Sequence, residues 1–438
     1  MNRRGFLVRT GLLLAAELLA EHQPLLTAKA AELTLPKLDS WDAVRDQFAL
    51  SRTLVHMAAF FLASHPTPVR DAIERHRRGF DENPIEYWFA NEEKQEAFVL
   101  GAASQYLEAR ATDIALTDST TMGLGLLYGG LSLRADQEIL TTVHDHYSTE
   151  VSLRLRAQRT GASIRQIPLY RSLKTVSVEE IVATLVAAVR PQTRVIAVTW
   201  VHSSTGLKLP IREMAKALKE VNARRTADDR VLLCVDGVHG LGVEHFKIDE
   251  LGCDFFIAGT HKWLFGPRGT GLVWGHAEAW PAANAIIPTF HLDAYRMWMK
   301  DIPPKELPRG HIMTPGGFHS FEHRWALSEA FRFHLGIGPL RVTERIHGLN
   351  DQLKDGLAAM PGILLHTPRS RDLSAGIVCF EVEGHAPDQV VHDLRQRGIV
   401  GSVTPYATQY VRLAPSLLTS PEDVEKTLQG VRSLLPKR

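Results

Sequence analysis

Two residues capable of acid–base and nucleophilic chemistry close neighbouring apolar runs. The first run, Val231 to Val235, ends in Asp236-Gly-Val-His239, and the second, from Phe255, leads into Gly259-Thr-His261-Lys262-Trp263. A carboxylate at the end of a buried strand costs on the order of several kcal/mol unless a cation or a ligand satisfies it. A lysine closing the next strand in an apolar setting has its pKa lowered, which makes its amine a usable nucleophile. Open α/β sheets hold their ligands at this C-terminal edge. The plain structural alternative is a buried ion pair between Asp236 and Lys262.

Further segments offer other chemistry. Thr117-Asp-Ser-Thr120-Thr121-Met-Gly123 follows a strand and opens a helix, so its N–H groups and hydroxyls suit a phosphate. Gly123, Gly125 and Gly129 nearly mimic a dinucleotide fingerprint, but the third spacing is one residue too long and no matching acid follows. His319-Ser-Phe-Glu322-His323 formally matches an inverted zinc-peptidase pattern, but Gly316-Gly317 directly upstream leaves little helix to present ligands. His144 and His146 offer a two-histidine pair on one side of a strand. With 20 histidines in the chain, chance patterns of this kind are expected.

The elements that must position these groups follow from composition and periodicity. The 438 residues suit two or three domains, or one large α/β unit with an appendage. The balance of 50 Lys+Arg against 49 Asp+Glu supplies no basic field, which argues against nucleic acid as a partner. Three cysteines make no disulfide framework. Residues 41–110 read as mostly helical. From about 112, β-rich runs alternate with helix-length segments: 114–116, 138–142, 163–168, 194–200, 231–235, 255–258 and 271–274. Runs apolar on both faces, separated by helices, predict a mainly parallel sheet covered by helices. Residues 280–318 read as irregular connection and 320–360 as helix. The remainder, with strands at 377–382 and 410–413 around a helix near 387–397, reads as a small α+β domain.

The pairing of Asp236-Gly-x-His239 with x-x-His261-Lys262 resembles fold-type I pyridoxal-phosphate enzymes, specifically the class V aminotransferase group with its desulfurases and isopenicillin N epimerase-like members. The resemblance covers roughly residues 85–430. It implies a large domain over 91–330 and a small C-terminal domain over 331–438, with 31–90 as an N-terminal helical segment. It implies pyridoxal 5′-phosphate as cofactor, Lys262 as its Schiff-base lysine, and Asp236 holding the pyridine nitrogen protonated. His239 would lie beside the ring hydroxyl and His261 near the phosphate. Thr120 and Thr121 would form the phosphate cup. His146 would stack on the ring, with Tyr147 the adjacent alternative. Ser203 stands in the loop facing the ring hydroxyl, where many members carry Asn. Arg412 stands where the family grips a substrate carboxylate, a task suited to a bidentate guanidinium. Ser320 matches a phosphate-binding hydroxyl donated by the neighbouring subunit, which implies a homodimer. Desulfurases need a cysteine just before the carboxylate-binding arginine, and the stretch 397–406 has none.

The first thirty residues read as an address. Arg3-Arg4-Gly-Phe-Leu7, a short apolar run from Gly11 to Ala16, and Ala28-Lys-Ala30 describe an export signal of twin-arginine type, cleaved after about Ala30. The run is too short for a stable membrane anchor, which needs about 20 apolar residues. Export through the twin-arginine machinery predicts a periplasmic location. Export combined with this framework resembles the periplasmic tailoring enzymes that convert the glutamate side chain of the siderophore pyoverdine to succinamide. That implies an amino-acid-bearing small molecule or peptidic precursor as substrate and an oxidative decarboxylation. The alternatives are a class V transaminase, epimerase or C–S/β-lyase acting on another amino acid, a periplasmic zinc hydrolase, and a catalytically silent binding protein.

Overall fold

The computed structural model describes residues 37–302 and 307–436. The segment expected to be the export signal lies outside the described residues.

A two-residue strand, β1 (Val55–His56), precedes the main sheet. Seven strands then form that sheet: β2 (Ile114–Thr117), β3 (Glu138–Thr142), β4 (Ser163–Ile167), β5 (Thr193–Thr199), β6 (Leu232–Asp236), β7 (Phe255–Gly259) and β8 (Gly271–Gly275). Their order is β2-β8-β7-β6-β5-β3-β4. Only β8 runs against its neighbours, so the sheet is mainly parallel, as the apolar runs predict. Strands β5 to β8 are buried along their whole length. Helices must therefore cover both faces, and two apolar clusters, one on Trp200, Phe256 and Trp274 and one on Phe255 and Trp280, fill the space.

The small sheet consists of β9 (Ile363–Leu365), β10 (Val378–Val382), β12 (Ser402–Val403) and β13 (Val411–Leu413), in antiparallel order β12-β13-β10-β9. The strand β11 (Ile399–Val400) pairs in parallel with β1 as a separate two-stranded sheet, which ties the N-terminal segment to the C-terminal part of the chain. Glu244 accepts from Lys208 (2.9 Å) and binds His347 (2.8 Å), which fastens the long helix Pro339–Ala358 to the loops flanking the main sheet.

Three expectations are corrected. The helix read over 320–360 is two helices, Phe321–Ile337 and Pro339–Ala358, because Gly338 takes φ +95° and Pro339 starts a new helix. The stretch 280–318 carries two short helices, Leu292–Met299 and Arg309–Met313. Lys262 does not close β7; the strand ends at Gly259 and the lysine sits in the turn beyond it.

Candidate active site

Asp236 terminates β6 with its side chain buried. One oxygen accepts from Val238 N at 3.1 Å, and no basic group forms an ion pair with it among the described residues. Burial pushes its pKa up to about 6, against the opposing pull of that N–H and of Lys262. The expected alternative, a simple Asp236–Lys262 ion pair, is thus absent at contact distance.

Lys262 is positioned from two sides. Its Nζ lies 3.3 Å from His239 Nε2, and His239 Nδ1 accepts from Trp263 Nε1 at 3.2 Å. Because Trp263 can only donate, Nδ1 must be the unprotonated nitrogen, which leaves Nε2–H to donate toward the lysine. Only a neutral amine can accept that bond. Burial pulls Lys262 down to about 8, with the nearby Asp236 opposing and Arg412 assisting. His239 is held neutral, far below its usual range, first by burial and then by the positive charges of Lys262 and Arg412. The sequence leaves an aspartate, a histidine and a lysine in one pocket because β6 and β7 are adjacent and parallel.

One end of the cavity is built by the helix Thr120–Gly130. Ser119 caps it by accepting from Met122 N, and Thr120 Oγ1 accepts from Gly259 N at 2.8 Å, which locks the helix start against the end of β7. Thr121 Oγ1 lies 3.0 Å from Ser148 Oγ. Helix-start N–H groups and hydroxyls clustered in this way suit a phosphate. His261 lines the same cavity, its pKa lowered by burial and then by Lys262.

His146 caps the helix Tyr147–Thr160 and lines the cavity, whereas Tyr147 is 72% exposed and does not. The loop between them and β3 is fixed by Asp145, which accepts from Thr142 N (2.9 Å) and Thr199 N (2.7 Å). Ser203 Oγ bonds the Tyr406 hydroxyl at 2.7 Å, and its carbonyl accepts from Arg412 Nη1 at 3.1 Å. Arg412 is buried on β13 without an acidic partner among the described residues, and its remaining bond is from Nε to Ser402 Oγ. An isolated buried guanidinium is an incomplete arrangement that an anionic ligand would complete.

These groups enclose a cavity of about 260 Å³. Asp236, Lys262, His239, His261, Thr120, Thr121, His146, Ser203 and Arg412 all line it. Ser320 does not: it is an exposed residue at the start of the helix Phe321–Ile337. The histidine patterns read as metal pairs diverge. His144 lies in a turn after β3, not on a strand, and stacks on Tyr170 at 4.4 Å while His146 faces the cavity. His319 pairs with Asp118, and His323 bonds the Arg268 carbonyl. Among the described residues no group of three or more ligating side chains is placed to hold a metal ion, and no helix is long and apolar enough to cross a membrane. Sequence reasoning missed Phe60 and Phe61, which also line the cavity. Their run, Ala58-Ala-Phe-Phe-Leu62, has neither helical nor strand periodicity, so no local signal marks it.

The class-V aminotransferase profile matches residues 101–403. A probable cysteine desulfurase of Halalkalibacterium halodurans is 26% identical over 376 residues, covering 81% of this chain and 84% of that protein. The isopenicillin N epimerase of Streptomyces clavuligerus is 30% identical over 279 residues, covering 61% and 66%. Among solved structures, a C-DES mutant with glycine covalently linked to its PLP cofactor superposes with a TM-score of 0.78 at 20% identity, covering 89% of this chain and 98% of that one. A cysteine desulfurase from Thermococcus onnurineus NA1 gives 0.75 at 19% identity, covering 90% and 97%. These likenesses carry the fold-type I architecture.

Proposed function

The chain belongs to the class-V aminotransferase family of pyridoxal-phosphate-dependent enzymes, and from that premise we propose that it is a periplasmic siderophore-tailoring enzyme, acting on the α-amino-acid head of the glutamate side chain of pyoverdine and converting it to succinamide. The residues present fit the cofactor. Asp236 is a buried carboxylate with no cation in ion-pair contact, which a pyridinium would satisfy. The Thr120–Thr121 helix start suits its phosphate. Lys262 is a desolvated amine.

When bound, pyridoxal phosphate offers an aldehyde to amines and a ring that draws electron density from a substrate's α-carbon. The protein's own groups determine the rest. Lys262, with its pKa near 8, exchanges a proton at Nζ readily around neutral pH. His239 Nε2 and Trp263 keep that amine aimed into the cavity. Arg412 holds a carboxylate through its guanidinium, and the Ser203 and Ser402 contacts occupy two of its N–H groups and leave the others for the ligand. His146 lines one side of the cavity.

The observation that carries this reading over a desulfurase is the state of the thiols. Cys234, Cys253 and Cys379 are all buried, with burial raising every thiol pKa. The loop before Arg412 presents Tyr406 to the cavity wall instead of a cysteine. The twin-arginine pattern expected in residues 1–30 supports an extracellular siderophore as substrate. In the proposed reaction the bond between the α-carbon and its carboxylate breaks. Carbon dioxide leaves, one dioxygen is consumed, and the amide and water form. A homodimer with Ser320 reaching the neighbouring site belongs to the same proposal. The mature protein incubated with glutamate-bearing pyoverdine should yield the succinamide form by mass spectrometry, with matching oxygen uptake. Unchanged pyoverdine alongside turnover of a free amino acid would instead favour an aminotransferase, epimerase or lyase, the epimerase being the reading that the Streptomyces relative supports.

A further inference from the structure

We propose that Phe60 is a positioning residue for substrate carboxylate binding: the N-terminal segment slides its ring beneath the Arg412 guanidinium and sets the plane in which that group meets a carboxylate. The proposal rests on the reading of Arg412 as the carboxylate grip.

The Arg412 Cζ lies 4.5 Å from the centroid of the Phe60 ring. Phe60 is only 1% exposed, and its own position is fixed by a stack on Trp263 (6.0 Å, 27° between planes) and an edge contact with His239 (6.0 Å). The ring therefore links the arginine to the two residues that flank and aim Lys262. The segment that delivers it is stitched to the strands around Arg412. Val55 N donates to Gly398 O, Met57 N to Val400 O, and Ala414 N to Met57 O, at 2.8, 2.9 and 2.8 Å. Two residues after Arg412, the chain is thus hydrogen-bonded to the segment that carries Phe60. Both Phe60 and Arg412 lie outside the region 101–403 matched by the family profile.

The chemistry follows from what the guanidinium lacks. Its Nε and one Nη1 hydrogen are taken by Ser402 Oγ and the Ser203 carbonyl, and Nη2 bonds no protein atom among the described residues. With no acidic partner, two hydrogen bonds alone would let the planar group tilt. An aromatic face beneath it adds the attraction of the ring quadrupole for the cation and removes water from one side. The guanidinium is then held flat, with its free edge left for the ligand, and less ordering remains to be done on binding.

The test uses calorimetric titration of the cofactor-loaded protein with glutaramate, which carries one carboxylate and no amino group. Phe60→Leu should weaken binding about tenfold. Phe60→Tyr, which keeps the aromatic face, should stay within about twofold of the parent. Cofactor absorbance should be preserved in both, and both should remain folded at the titration temperature. If Phe60→Leu does not fold, Phe60→Met gives the same comparison with similar volume and no π face. Unchanged binding in Phe60→Leu, or equal weakening in Phe60→Tyr, would overturn the proposal. Arg412→Gln separates it from the reading beneath it. If that variant binds glutaramate as the parent does, Arg412 is not the carboxylate grip and both fall. If it loses binding while Phe60→Leu keeps it, only the role of Phe60 falls.

Discussion

At the scale of single residues, the site is a set of groups each held out of its ordinary ionisation. Lys262 is the one that accepts the cofactor in our reading, so Lys262→Ala should abolish the visible absorbance of the purified protein, while the melting midpoint of the cofactor-free form stays within about 2 °C of the parent. Asp236 makes the opposite kind of prediction. Burial raises its folded pKa to about 6, above its unfolded value, so the folded state holds the proton more tightly. The stability this represents is present at low pH and is lost as pH rises through about 6. In cofactor-free protein, Asp236→Asn should therefore raise the midpoint by roughly 2–4 °C at pH 7.5. The difference should shrink toward pH 4, as thermal unfolding across that range would show. In the loaded enzyme the same substitution should cost activity, because the amide cannot balance a pyridinium.

Elements matter here through how closely their ends approach. The turn carrying Lys262 and Trp263 packs on Gly242, which takes φ +85°; a Cβ there would come within 2.6 Å of the Trp263 backbone. Gly242→Ala therefore combines backbone strain with a clash that no side-chain rotation relieves. It should destabilise the protein by about 2 kcal/mol or more. It should also lower kcat more than destabilisation alone explains, since the displaced turn carries the amine. Denaturant titration beside steady-state kinetics would show whether both effects occur. Lys262 lies three residues beyond the strand end. The strand ends at Gly259, and although Thr260 N still bonds the Thr270 carbonyl in the register of β8, the chain bends there and leaves Lys262 in the turn.

For the molecule as a whole, the reading of residues 1–30 as an address has its own test. Replacing Arg3 and Arg4 together by lysine should leave the protein folded and able to take up cofactor but retained in the cytoplasm, as cell fractionation would detect. A variant still reaching the periplasm would remove the strongest support for an extracellular substrate. The small sheet, the N-terminal segment and the loop after β5 meet around Arg412, so its position depends on all three.

The sequence alone determined the strand–helix alternation and the parallel sheet, and it marked Asp236 and Lys262 as neighbours at one sheet edge. Those depend on local apolar runs and on residues a few positions apart. It also carried the helix start at Thr120 through a local motif, and it pointed to Arg412 through the family resemblance. Only the tertiary structure decided that Asp236 and Lys262 approach without forming an ion pair, since that depends on the turn after β7 and on His239, which lies between the Lys262 amine and the Trp263 ring nitrogen. Only the structure placed His146 rather than Tyr147 at the cavity, because one position along a helix cap reverses which side chain faces inward. Phe60 was illegible for a related reason: its role comes from pairing with strands more than three hundred residues downstream in the chain, and a contact of that separation leaves no periodic trace in the segment that makes it.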